Sequence, residues 1–226
     1  MLELDPRFRP VRRHCGGYLP LEDLGLIGDG ATAALAGLDG SIAWLCVPGF
    51  DSDPLFCGLL DHAKGGQFSV TPERLLEASQ RYETDTGILT TEMRTSIGVV
   101  RITDALVLRS RADLTDDTPA DRRELVRSVT VLAGSARIEV RIEPRDGARA
   151  YPAVSGLEVR ASSRPDLRLH LRANRPLNGL QSVHALAEGD RLDLVFSWVG
   201  HHRFDADAML RPNEQSVAPV DGEFPL

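Results

Sequence analysis

The sequence predicts an all-β protein built as one large antiparallel β-sandwich (a supersandwich) with one or two short helices. The strongest sign is alternation with a period of two: in residues 136–143 every even position is apolar and every odd position is charged. Successive side chains of a strand point to opposite faces, so such a segment has one buried face and one wet face. The same alternation recurs at residues 157–162, 167–172 and 192–198.

Turn signals divide the chain at short intervals, which favours antiparallel pairing over a parallel sheet covered by helices. Glycine and aspartate tolerate the positive φ that tight hairpin turns need. About ten to twelve strands fit between the turns, enough for two stacked sheets. Helix is scarce: we predict one short helix after Pro54, over residues 55–60, and a turn at 72–77. The hairpin turns are predicted at residues 39–40, 65–66, 133–135, 146–147, 155–156 and 188–190.

The alternation ends near residue 200, which suggests a domain boundary. We assign residues 1–200 to the sandwich domain. From His201 onward the chain is polar and is punctuated by Pro212, Pro219 and Pro225, as is typical of a linker. Residues 201–226 are therefore predicted to lead toward a second domain.

Charge and composition exclude several classes of function. With 33 acidic and 26 basic residues the net charge is −7, so we expect neither a nucleic acid nor a membrane as partner. The chain has no apolar run near 18 residues, and acids replace the apolar core of a signal peptide. Three cysteines without a Cys-x-x-Cys indicate reduced thiols. We expect a soluble, cytoplasmic protein.

Two motifs that suggest cofactor chemistry have simpler interpretations. Residues 28–33 match Gly-x-Gly-x-x-Ala, a relaxed dinucleotide fingerprint, but the following helix would stop at Gly40, too early for a parallel crossover. A glycine-rich turn between two strands is the better interpretation. His201 and His202, with the nearby Asp205 and Asp207, match no familiar set of metal ligands. We expect no cofactor and no metal.

The segment from Trp44 to Ser52 is the candidate functional loop. Trp44 lies in a strand that ends at Val47 and Pro48. The following Phe50, Asp51 and Ser52 place an aromatic ring and an acid next to water. One interpretation is that this loop contacts substrate or a partner domain. The alternative is that Phe50 folds back on the core while Asp51 caps the short helix after Pro54. Trp198, flanked by apolar residues, is predicted to be core.

Four blocks follow one another in an order that carries a family resemblance. They are residues 18–23 (Tyr-Leu-Pro-Leu-Glu-Asp), 26–35 (Leu-Ile-Gly-Asp-Gly-Ala-Thr-Ala-Ala-Leu), 39–48 (Asp-Gly-Ser-Ile-Ala-Trp-Leu-Cys-Val-Pro), and 50–52 (Phe-Asp-Ser) with Phe56. Looser matches occur at 81–82, 91–92, 101–104, 125–127 and 139–144. Together they resemble the start of bacterial and archaeal glycoside hydrolase family 15 proteins, the glucoamylase- and trehalase-like group.

The resemblance implies a function by association. In that family an N-terminal β-sandwich is joined by a linker to an (α/α)6 barrel, and two glutamates of the barrel hydrolyse α-glucosidic bonds with inversion. This chain would then be a non-catalytic domain with no catalytic residue, its partners being that barrel and an α-glucoside carbohydrate. Ala43, Gly49 and Asp53 depart from the residues usual in the family. The alternative is a free-standing carbohydrate-binding module, against which the aromatic content of 5% counts.

Overall fold

The computed structural model describes residues 8–14, 16–108 and 121–198, and it places fifteen β-strands among them. The predicted linker at residues 201–226, with His201 and His202, lies outside these ranges. In chain order, β1 to β15 are Arg9–Pro10, Leu24–Gly28, Ala33–Gly37, Ser41–Cys46, Pro54–Phe56, Gln67–Pro72, Glu77–Tyr82, Leu89–Arg94, Gly98–Leu108, Asp121–Glu143, Ala148–Ala153, Gly156–Ala161, Leu169–Ala173, Gln181–Ala187 and Arg191–Ser197.

The strands form two antiparallel sheets that share β10. The first sheet has the order β1-β7-β8-β9-β10-β15-β13-β12-β11, and the second has the order β2-β3-β4-β6-β10-β14, with β5 also paired to β4. The first part of β10 pairs with β9 and β15, and its last part pairs with β6 and β14. The all-β class and the antiparallel sandwich are therefore confirmed.

The buried positions of β10 are those that the alternation in the sequence predicts. Ala136, Ile138, Val140 and Ile142 of β10 are all buried. An aromatic cluster fills the space between the sheets, where the ring of Phe196 lies 5.9 Å from the rings of both Phe56 and Phe68 and 6.3 Å from Trp198, measured between ring centroids. Trp198 is thus a core residue, as predicted.

The short helix predicted over residues 55–60 is wrong. Pro54–Phe56 is strand β5, and the backbone N–H of Cys57 and of Gly58 bond the carbonyls of Gly65 and Gly66. Leu55 and Phe56 are both fully buried, so packing into the core outweighs the local helix-start signal. Within the described ranges the helical content is one 3-10 turn, Leu21–Asp23. None of the described segments forms a helix long and apolar enough to cross a membrane.

The turn predicted at residues 133–135 is also wrong, because the chain runs through it inside β10. Gly134 has φ +70°, and the register with β9 shifts between Val131 and Ala133. The irregularity is therefore a bulge rather than a hairpin, and it lies where β10 passes from one sheet to the other. The turns at 39–40, 155–156 and 188–190 do join consecutive strands.

Candidate functional site

A bulge in β4 sets the position of Trp44. Leu35 of β3 is paired with Trp44 and Ala36 with Ile42, so Ala43 is an extra residue in β4. A bulge re-aims the side chains around it. Ile42 and Leu45 are fully buried, whereas Trp44 is half-buried. Trp44 therefore belongs to the outer face of the second sheet.

An apolar row crosses that outer face beside Trp44. Leu35 is the cross-strand partner of Trp44, and Leu26 of β2 is the cross-strand partner of Leu35. Leu35 is half-buried, and Leu26 is 57% exposed. The row therefore runs from Trp44 to the edge strand β2, on the face of the sheet that points away from the core.

Residues 47–53, hereafter the 47–53 loop, connect β4 to β5. The Val47–Pro48 peptide is cis. The turn closes on itself because the backbone N–H of Gly49 donates to the Ser52 hydroxyl (3.2 Å) and the backbone N–H of Ser52 donates to the Gly49 carbonyl (3.1 Å). Ser52 is thus used inside the loop, while Phe50, 61% exposed, and Asp51 remain open to solvent.

The structure contradicts the alternative roles of Phe50 and Asp51, in which Phe50 covers the core and Asp51 caps a helix. Phe50 is exposed and does not cover the core. No helix begins at Pro54, so Asp51 has no helix to cap. A Cβ on Gly49 would lie 3.2 Å from the Asp51 carboxylate, so the small residue at 49 leaves that carboxylate room close to the turn. The resemblance expects arginine at position 49.

The hairpin between β2 and β3 supports the tip of the 47–53 loop. The Phe50 N–H donates to the Ala31 carbonyl at 3.1 Å. The Asp29 carboxylate accepts from the N–H groups of Ala31 (3.0 Å) and Thr32 (2.8 Å), and the Thr32 hydroxyl donates to the Cys46 carbonyl. The glycine-rich turn at residues 28–33 therefore positions the loop and joins two antiparallel strands, as predicted. The strand after the turn pairs antiparallel with both of its neighbours, unlike the parallel crossover in which a dinucleotide fingerprint occurs.

Arg164, in the connection between β12 and β13, holds the base of the same loop. Its Nη1 donates to the Val47 carbonyl at 2.7 Å and to the Asp53 carbonyl at 3.0 Å. Its Nε and Nη2 donate to the two carboxylate oxygens of Asp166 at 3.1 and 2.9 Å. The hydrogen bonds from Arg164 hold the pKa of Asp166 below its ordinary value. Sequence reasoning missed Arg164; the only local signal is the Arg-Pro-Asp at residues 164–166.

The cysteines beneath the loop are not placed for nucleophilic chemistry. Cys46 and Cys57 are buried and unpaired. Burial raises the pKa of both thiols, which keeps them neutral at physiological pH. Among the described residues, no group of three His, Cys, Asp or Glu side chains could hold a metal ion.

The structure brings Phe50, Asp51 and Ser52 together on one rigidly bonded loop and places Trp44 on the adjoining strand. Trp44 lies two residues before Cys46, the last residue of the strand that leads into the loop. The arrangement offers an exposed aromatic ring and a carboxylate on a loop held by hydrogen bonds, which is a common way to present contact residues.

Comparison with known proteins identifies the family of the chain. The profile of the family described as trehalase-like, N-terminal matches residues 15–170. A trehalase of Mycolicibacterium smegmatis is 30% identical over 92% of this chain and 36% of its own length. A trehalase of Mycobacterium tuberculosis is 30% identical over 81% of this chain and 30% of its own length. Trehalase 2 of Sulfolobus acidocaldarius is 45% identical over 30% of this chain and 12% of its own length.

No solved structure shows significant similarity to the chain. The curated trehalases it matches are longer proteins, and the chain spans about a third of the length of the first two. The family match covers both the 47–53 loop and the hairpin that supports its tip, and it also includes Arg164. The chain belongs to the trehalase-like N-terminal domain family.

Proposed function

We propose that this chain is the non-catalytic N-terminal domain of a glycoside hydrolase of the trehalase or glucoamylase type, family 15. In that proposal the domain buttresses an (α/α)6 catalytic domain and presents the 47–53 loop near its pocket, with residues 201–226 leading from one domain to the other. The curated relatives are named trehalases and are about three times as long as the matched region, which supports a catalytic part elsewhere. The substrate class would be an α-glucoside such as trehalose.

The observation that carries the proposal is the 47–53 loop itself. A backbone hydrogen bond holds the loop at its tip and the Arg164 side chain holds its base, yet Phe50 and Asp51 are exposed. An anchored loop with an exposed ring and acid is a common way to present contact residues. The unpaired thiols of Cys46 and Cys57 support a reducing compartment such as the cytoplasm.

The test uses a longer protein that carries this domain together with its catalytic part. Asp51→Ala should lower kcat/KM for trehalose about tenfold, equivalent to roughly 1.4 kcal/mol, with little change in Tm. Glu73→Ala is the matched control, because Glu73 is an exposed acid on a different turn and pairs with Arg137. The control should keep full activity. Equal activity of the two variants would contradict a role for the loop at the pocket.

A further inference from the structure

Arg164 links the two ends of the 47–53 loop. Val47 and Asp53 are the first and last residues of the 47–53 loop, and both of their carbonyls accept from one guanidinium nitrogen. Arginine is suited to this because its guanidinium presents five N–H donors in a rigid plane and stays charged. The two bonds therefore close the base of the loop, although Arg164 lies 117 residues after Val47 in the sequence.

The orientation of the guanidinium is fixed independently of the loop. Asp166 accepts from the opposite edge of the group through two nearly parallel bonds of 3.1 and 2.9 Å. Pro165 between them restricts the backbone. The side chain of Arg164 is 11% exposed, and its bond to the carbonyl of the buried Val47 is partly shielded from water, which strengthens a charge-assisted hydrogen bond. The Asp166 side chain is 61% exposed, so the pair with Arg164 gains less from shielding. Arg164 is therefore aimed at the two carbonyls before any partner or substrate arrives.

We propose that Arg164 is a positioning residue for the 47–53 loop, which sets where Phe50 and Asp51 stand. Without Arg164 the loop keeps its bond to Ala31 at the tip, but the Val47 and Asp53 carbonyls lose their donor. The consequence for the loop depends only on these contacts. The consequence for catalysis rests on the proposed function.

The first experiment measures the loop in the 226-residue chain by amide hydrogen exchange. In Arg164→Ala the amides of Gly49, Phe50 and Ser52 should exchange about tenfold faster or more, while those of β10 and β15 stay unchanged. Arg164→Lys keeps the charge but cannot span two carbonyls and a carboxylate, so its effect should be intermediate. An unchanged exchange rate in the loop of Arg164→Ala would overturn the proposal.

The matched control is Arg160→Ala. Arg160 pairs with Glu158 two residues away at 2.8 Å, as Arg164 pairs with Asp166, and it donates to no carbonyl of the loop. It should leave loop exchange unaltered. If Arg164→Ala does not fold, Asp166→Asn tests the same point, because it frees the guanidinium without removing it. Asp166→Asn should speed loop exchange by a smaller factor, and no change in that variant would equally overturn the proposal.

The second experiment measures kinetics in the longer protein. Arg164→Ala should lower kcat/KM for trehalose about tenfold, Arg164→Lys should recover part of it, and Arg160→Ala should match the parent. If Arg164 only stabilised the fold, Arg164→Ala would lower Tm and leave kcat/KM unchanged. Faster loop exchange with unchanged kcat/KM would still support Arg164 as a positioning residue for the loop. That result would instead refute the proposed function of the loop at the pocket.

Discussion

At the scale of single residues, Arg127 shows how charge is accommodated between the sheets. Its guanidinium is fully buried, binds the two oxygens of the Asp104 carboxylate at 2.8 and 3.1 Å, and donates to the carbonyls of Phe68 and Gly40 at 2.8 Å each. Arg127 and Asp104 lie on β10 and β9 of the first sheet, and the two carbonyls belong to the second sheet or its turn. One side chain thereby links both layers.

The first residue-scale prediction is that Arg127→Met destabilises the chain strongly. Removing the guanidinium leaves the buried Asp104 charge without its partner and takes one donor from each of two carbonyls. Losing one partner of a buried ion pair typically costs about 3–5 kcal/mol. Urea unfolding of the 226-residue chain measures the loss. Arg137→Met is the control on the same strand, because Arg137 forms an exposed pair with Glu73 and should lose less than about 1 kcal/mol. Similar losses in the two variants would contradict the prediction.

The second residue-scale prediction concerns pH. His184 lies buried on β14, its Nε2 is 3.0 Å from the Ser182 hydroxyl, and burial lowers the pKa of its imidazole, with the nearby Arg175 acting in the same direction. The folded chain then binds a proton less readily than the unfolded chain. The stability associated with His184 is fully present above the ordinary histidine pKa of about 6.5 and is lost as the pH falls below it.

Urea unfolding at several pH values tests this behaviour. Replacing the imidazole by an amide in His184→Asn removes the titration and should flatten the decline between about pH 7 and pH 5, by at most about 1.4 kcal/mol per pH unit. His62→Asn is the control, because His62 is exposed. An equally steep decline in His184→Asn would show that this histidine does not couple folding to pH.

At the scale of elements, β10 is the strand on which the sandwich depends. It is 23 residues long, and Gly134 lies where it leaves one sheet for the other. A Cβ there would collide with the carbonyl oxygen of Ile97, and its φ of +70° is one that other residues rarely adopt. The bulge at Leu132 and the positive φ of Gly134 both fall where this single strand passes from one sheet to the other.

The element-scale prediction compares two glycines. Gly134→Ala should cost about 2 kcal/mol or more, since it adds a backbone collision to the positive φ. Gly189→Ala should cost about 1 kcal/mol, because Gly189 has φ +81° but nothing within 4 Å of the added carbon. Thermal and urea unfolding of the chain give both values. A smaller loss at Gly134 than at Gly189 would show that β10 absorbs the collision.

At the scale of the whole molecule, the described residues form one continuous scaffold that carries the 47–53 loop. The two sheets share a core, and the loop is bonded to a hairpin of the second sheet and to a connection of the first. These contacts fix the position of the loop relative to both sheets. The proposed function uses this scaffold to support a site that another part of a longer protein completes.

The whole-molecule prediction is that the purified 226-residue chain releases no glucose from trehalose or maltooligosaccharides above the buffer blank. The two thiols beneath the loop are held neutral by burial, and the proposed function places the catalytic carboxylates in another part of the longer protein. A coupled glucose assay measures the release, with the longer protein as the positive control. Hydrolysis that a point mutation within this chain abolishes would refute the non-catalytic assignment.

The sequence by itself determined the layers of this protein, because strand alternation is a local property. Residues 136–143 show their buried and wet faces within eight positions, and β10 places Ile138 and Ile142 in the core accordingly. The existence of a loop at residues 48–52 could likewise be predicted, because Pro48 and Gly49 mark it in the sequence. The exposure of Phe50 was one of two alternatives that the sequence left open.

Only the tertiary structure decided the features that depend on distant partners. Leu55 and Phe56 carry a local helix signal, yet they form a strand because β4 and the aromatic core offer them more buried contact. In the sequence, Gly134 resembles part of a hairpin turn. In the structure, its strand continues through it from one sheet into the other. Arg164 reaches Val47 across 117 residues, and no periodicity or spacing within the sequence encodes a contact of that separation.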